Sequence, residues 1–227
     1  MDVLHNLPQL VTAVGGLGTA AFGLVDATKV FGGGVNHVGF GKIAARVATL
    51  TPGADQSVNA LPQKEVLKTL KGNWFNGTDL GSQKAIAKSL IKLHLNPSTA
   101  AAVAKATNLD SEAFGNVIAK QTRGESLLPA EGDLFARFDL VITAMLDEAY
   151  QIADQLYCNA TRALAVVFAV ALSVAGCLIL HHDGAPVAIS YSDSVIIGLL
   201  ATPLAPIAKD LSSALAAAVN ALQSPTK

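Results

Sequence analysis

Long apolar stretches dominate the pattern of hydrophobic and polar positions along the chain. No Asp, Glu, Lys or Arg interrupts residues 3–25, which lie between Asp2 and Asp26. A second apolar stretch, residues 163–180, follows Arg162 and ends before His181. A helix of about 20 apolar residues crosses the roughly 30 Å hydrocarbon core of a bilayer. The pattern therefore predicts transmembrane helices at 3–25 and 163–180. For residues 3–25 the alternative is a signal peptide, but neither a basic start nor a clear small-residue cleavage site is visible.

A third apolar stretch, residues 194–208, is short and contains Pro203 and Pro206. Lys209 and Asp210 follow it, and apolar residues then continue to position 222. A lysine can extend its side chain to the headgroups, so it can lie inside the end of a span. We therefore expect a third transmembrane helix within residues 194–222, kinked at the two prolines. The alternative is a re-entrant or interfacial hairpin.

The segment 26–128 has the pattern of a Gly-rich loop followed by short helices. Five glycines fall between Gly32 and Gly41, so residues 26–60 are predicted to be loop-like. A basic helix is predicted from Gln63 to Lys71, ended by Gly72. Three later helices have recognisable N-cap residues, which are Asp79, Asn96 (followed by Pro97 as the first helical residue) and Asp110. No alternation long enough for a sheet is present, so the predicted fold class is all-α.

An amphipathic stalk helix is predicted over residues 129–162. Its apolar positions recur every three or four residues, a spacing typical of helix–helix packing. No Gly or Pro occurs between Asp133 and Ala175, so this helix is expected to continue into the second span. From Pro129 to Leu180 it would have about 52 residues and a length of roughly 78 Å. A kink near Asn159 is the alternative. The stripe consists of Leu134, Phe138, Val141, Met145, Ala149, Ile152 and Leu156.

Composition and charge agree with a membrane protein whose partner is the lipid bilayer. Hydrophobic residues make up 51% of the 227 residues and charged residues only 15%, against roughly a quarter charged in typical soluble domains. Sixteen basic and seventeen acidic residues give a net charge of −1, which argues against a nucleic-acid partner. Two cysteines exclude a disulfide scaffold and a multi-cysteine zinc module.

The distribution of Lys and Arg predicts the orientation. Fourteen of the sixteen lie within residues 26–162, and none lies in 1–25 or in the loop 181–193. Basic residues near the ends of spans favour the cytoplasmic side. We therefore expect a multi-pass membrane protein with its N-terminus outside the cytoplasm. Residues 26–162 and the C-terminus would be cytoplasmic, and the loop 181–193 would lie outside.

Small residues in the first span predict close helix packing. Gly15, Thr19 and Gly23 are four residues apart, and Gly16 lies beside them. Small residues at this spacing let helix backbones approach each other in lipid. The pattern Gly16-x-Gly18-x-x-Ala21 in the same stretch does not make a dinucleotide site, because no strand precedes it. Whether the contact lies within one chain or between copies stays open at this point.

Candidate catalytic and metal-binding patterns are weak throughout. Gly41 and Lys42 do not complete a phosphate-binding loop, because Asn36 and Ile43 occupy the positions that require Gly and Ser or Thr. His181 and His182 are adjacent, and no third ligand is near them in the sequence. We therefore expect no enzyme activity, no cofactor and no metal site.

Two pairs of motifs carry a resemblance to a group of uncharacterised bacterial membrane proteins of the proteobacterial type. The first pair is GNWFNG at 72–77 with QKAIAKSL at 83–90. The second is FARFD at 135–139 with Leu146-Asp147, Tyr150 and ADQ at 153–155. The resemblance covers roughly half of the chain. It implies a similar layout of N-terminal and C-terminal spans and a location in a bacterial inner membrane, and it brings no activity, ligand or site.

The leading functional hypothesis is a structural or accessory membrane subunit that self-assembles or joins a larger membrane complex. A homo-oligomer or other membrane subunits would then be its partners. One alternative is a channel or transporter component whose pore forms only in an oligomer. Another is a membrane-anchored helical module that recruits a cytoplasmic partner.

Overall fold

The computed structural model describes residues 3–53, 61–182 and 190–206, with backbone alone for residues 3–10. Within these ranges the secondary structure is helical and contains no strand, so the predicted all-α class is confirmed there. A short 3₁₀ helix, Gly34–His37, lies between the first two α-helices. The α-helices are α1 (Val3–Val30), α2 (Phe40–Leu50), α3 (Gln63–Phe75), α4 (Leu80–His94), α5 (Pro97–Ala106), α6 (Ser111–Thr122) and α7 (Pro129–His182), and we name the helical residues 191–206 α8.

Side-chain caps start three of these helices at the predicted residues. The Asp79 carboxylate accepts the Ser82 N–H at 2.8 Å, and the Asp110 carboxylate accepts the Ala113 N–H at 2.7 Å. Asn96 and the residue at the third helical position of α5 form a reciprocal capping box. Each cap satisfies N–H groups that have no partner inside the helix. The predictions for α4, α5 and α6 are therefore confirmed.

Two details of the sequence prediction are wrong. Residues 26–60 are not loop-like throughout, because α2 lies within them and buries Ile43, Val47 and Leu50. Helix α3 does not end at Gly72 but continues to Phe75. A glycine inside a helix costs about 1 kcal/mol relative to alanine, and the burial of Trp74 on the next turn offsets that cost.

Two compact units make up the chain, and we call the unit formed by residues 36–157 the first unit. Helices α2 to α6 and the first half of α7 build it. One face of α7 supplies the middle of its core through fully buried side chains, with aliphatic and aromatic residues of the other helices packed around them. These α7 residues are Phe138, Ile142, Leu146, Tyr150 and Ala153.

A buried histidine connects the ends of α2 and α3 in this unit. His94 is 4% exposed, and its Nδ1 lies 2.7 Å from the Leu61 carbonyl oxygen. Its Nε2 lies 3.0 Å from the Pro52 carbonyl oxygen. The ring therefore bridges the backbone just after α2 to the backbone just before α3.

Helix α7 runs without interruption for 54 residues. The residues around Asn159 are helical, in agreement with the expectation that one helix continues from Pro129 into the second apolar stretch. Its residues up to Tyr157 belong to the first unit and those from Cys158 onward to the second. The second unit also contains α1 and α8, and its core is made of small and medium-sized side chains.

Two helices are long and apolar enough to cross a membrane, namely α1 over Val11–Val30 and α7. The third predicted span coincides in part with α8, and residues from 207 onward lie outside the described chain.

Candidate functional site

Glycines bring three helices of the second unit into close backbone contact. A Cβ on Gly18 of α1 would lie 2.8 Å from the carbonyl carbon of Ala201 in α8, and closer still to its oxygen. A Cβ on Gly198 of α8 would lie 2.5 Å from the Cα of Val170 in α7. Real side chains do not reach such distances, so both positions require glycine. Around them Val14, Ala21, Ala169 and Ala201 are buried together.

The predicted packing residues of α1 divide between two sides of this helix. Gly15 is buried, and its carbonyl accepts the Thr19 hydroxyl at 3.0 Å. Gly16, Thr19 and Gly23 are exposed, and a Cβ on Gly16 or Gly23 would meet nothing within 4 Å. Among the described residues the closest approach to α8 is made instead by Gly18, which is not one of the predicted packing residues.

The buried residues of α7 lie on a face of the helix that is rotated about its axis relative to the predicted face. Phe138 is fully buried, and Leu134 and Met145 pack partly against the core. Val141 is half-buried. Ile152 and Leu156 are each 39% exposed and lie outside the core. Apolar residues on both flanks of the helix make the two stripes similar in sequence, and the fold buries Ile142, Leu146 and Ala153 in place of Ile152 and Leu156.

Ion pairs fix α7 against α2 and α4 on the sides of the buried stripe. Arg46 pairs with Glu148 at 2.8 Å, and Lys84 pairs with Asp147 at 2.6 Å. Asp139 is held by Lys88 at 2.5 Å and also by Lys92. Burial opposes the charge of Asp139, but the hydrogen bonds from the two lysines outweigh it and keep the pKa of Asp139 below its ordinary value. These carboxylates therefore act in packing, as structural ion pairs.

Tyr150 is the largest fully buried side chain of the first unit. Its hydroxyl lies 3.5 Å from the Gln83 carbonyl oxygen, and Gln83 Nε2 donates to the Thr78 carbonyl. Burial raises the pKa of Tyr150 to about 12. The phenol is thus a neutral core group at physiological pH.

The two predicted kink residues lie near the end of the described part of α8. Pro203 does not end the helix, since residues 191–206 are helical through it and up to Pro206. Both prolines are exposed. Beside them the Thr202 side chain is 9% exposed, and its hydroxyl has no hydrogen-bond partner in the described structure.

At the end of α7, His181 lies between its own helix and α8. Its Nδ1 lies 2.8 Å from the Cys177 carbonyl oxygen, and its ring stacks on Tyr191 with centroids 5.3 Å apart. An open groove of about 600 Å³ is lined by these two rings, His182, Leu178 and Ile179. Within the described ranges, no three or more His, Cys, Asp or Glu side chains are placed to hold a metal ion.

Residues close to both boundaries of the first unit meet in one place, which we call the junction cluster (Asn36, His37, Lys71, Trp74, Phe75 and Tyr157). Trp74 Nε1 donates to the Asn36 carbonyl at 2.8 Å, and Asn36 Nδ2 donates to the Phe75 carbonyl at 3.2 Å. The rings of Trp74 and Tyr157 have centroids 6.0 Å apart. The residues at which the chain enters and leaves this unit, 36 and 157, therefore both contact Trp74.

Comparisons with protein-family models, with curated proteins and with solved structures give no match. The resemblance carried by the 72–90 and 135–155 motifs therefore remains a prediction. The same residues have a structural explanation, since Trp74, Phe138, Leu146 and Tyr150 all belong to the core of the first unit.

Sequence reasoning missed Gly18, Gly198 and the role of Trp74. Gly18 and Ala21 lie on the side of α1 opposite Gly16 and Gly23, so a second small-residue stripe is visible in the sequence. Gly198 is the one glycine between residues 194 and 208, which is a usable signal. The contacts of Trp74 join residues more than 35 positions apart, and no local pattern indicates them.

Proposed function

We propose that this chain is an integral membrane protein with a structural or accessory role, which self-assembles or joins a larger membrane complex. The membrane part is supported by the low burial of the two apolar helices. In the most apolar window of α7 only 17% of the residues are buried, and in that of α1 only 22%. A core helix of a soluble protein is mostly buried, whereas these helices leave large apolar side chains such as Leu24, Val167 and Ile179 exposed. Lipid hydrocarbon would cover such surfaces.

The packing of α1 supports a transmembrane helix that stays in the mature protein, in contrast to a cleaved signal sequence. A signal sequence is removed from the mature protein. In this chain α1 contributes Val14 and Ala21 to a shared core with Ala169 and Ala201. Its Gly18 also permits backbone contact with α8. Removal of α1 would therefore uncover the close-packed side of α8.

The observation that carries the assembly role is the second small-residue face of α1. One face packs inside the chain through Gly18 and Ala21. The opposite face bears Gly16, Thr19, Ala20, Gly23 and Ala27, all exposed. Within lipid the hydrophobic effect does not drive helices together, and small residues permit the close backbone packing that does. A face of this composition fits another transmembrane helix, either from a second copy or from another membrane subunit.

The orientation that we propose places the segment rich in Lys and Arg, residues 26–162, on the cytoplasmic side. The first unit is cytoplasmic, the N-terminus lies outside the bacterial inner membrane, and the third span lies within 194–222. To test this, single cysteines replace Ser126 or Ser190 in a chain whose Cys158 and Cys177 are changed to Ala. An impermeant thiol reagent added to intact cells should label Ser190→Cys, and Ser126→Cys only after the membrane is opened. The reverse pattern contradicts the orientation, and full release of the protein by alkaline carbonate contradicts membrane integration.

Assembly is tested by the native mass of the detergent-extracted protein. Gly16→Leu and Gly23→Leu should lower the native mass and leave the thermal stability of the first unit unchanged, because a Cβ at either glycine would meet none of the described residues of its own chain within 4 Å. Gly176→Leu, at a similarly open glycine in α7, is the matched control. A wild-type monomer without a co-purifying subunit would refute the assembly role.

A further inference from the structure

We draw no further inference here: the strongest candidate, the open groove at the end of α7 lined by Leu178, Ile179, His181, His182 and Tyr191, carries none, because it adjoins residues 183–189, which lie outside the described chain, and nothing in the structure shows what covers it.

Discussion

Substitution of Gly18 by Ala tests the packing of α1 against α8 at a single methyl group. The new Cβ would lie 2.8 Å from the Ala201 carbonyl carbon, whereas carbon atoms in contact are about 3.5–4.0 Å apart. The two helices would have to separate by roughly 0.7 Å or more, and overpacking of this kind costs about 1–3 kcal/mol. An open glycine in a helix behaves oppositely, because its change to Ala stabilises the helix by about 0.5–1 kcal/mol.

The matched variant is therefore Gly23→Ala on the same helix, where the new methyl group meets nothing within 4 Å. Thermal unfolding of the detergent-purified proteins, followed by circular dichroism, compares the two. For a chain of this size 1 kcal/mol shifts the Tm by roughly 2–4 °C. We expect Gly18→Ala to lower the Tm and Gly23→Ala to keep or raise it. A Gly18→Ala protein as stable as Gly23→Ala would refute the close contact between α1 and α8.

Three further outcomes are expected from the described contacts. Gly198→Ala should lower the Tm as Gly18→Ala does, because its methyl group would meet the backbone of Val170; an unchanged Tm would contradict that contact. Asp139→Asn removes the partner of Lys88 and Lys92 and should cost about 1 kcal/mol in urea unfolding at neutral pH. Since the pKa of Asp139 is lowered from 3.8, this stabilisation is present above that pH and is lost as the pH falls through the lower folded-state value; a variant that keeps the wild-type acid sensitivity argues against the pair. The raised pKa of Tyr150, about 12, predicts that stability is retained below pH 10 and decreases as the pH rises from 10 toward 12; Tyr150→Phe should abolish this decrease, and an absorbance titration in which all three tyrosines ionise near pH 10 would disprove it.

The starts of helices can be predicted from the sequence where the N-cap side chain bonds to the first turn of its own helix. Asp79, Asn96 and Asp110 cap their own helices within three residues, so each start can be identified without the rest of the chain. Helix α2 was harder, because the glycines around it resemble a loop. Its burial of Ile43, Val47 and Leu50 depends on distant helices, which supply the surfaces they pack against.

The packing of α1 and α7 could be predicted only in part, for the same reason. Both helices carry suitable residues on more than one side, and the sequence of a helix does not reveal which side its neighbours cover. Glycine is required at position 18 because the backbone of Ala201, more than 180 positions away, leaves no room for a Cβ. The buried stripe of α7 depends on the distant helices that pack on Phe138, Ile142 and Leu146, and Lys88 and Lys84 of α4 pair with Asp139 and Asp147 beside it. Contacts between such distant residues, unlike N-caps, produce no local pattern in the sequence from which they could be predicted.

The bridge made by His94 has a consequence for proton placement. Both ring nitrogens lie within hydrogen-bond distance of a carbonyl oxygen, and a carbonyl can only accept. A neutral imidazole carries one N–H, so it donates to Leu61 or to Pro52 but not to both. The tautomer with a proton on Nδ1 donates to Leu61, before α3, and the tautomer with a proton on Nε2 donates to Pro52, after α2. Only a ring with a proton on both nitrogens donates to both carbonyls at once.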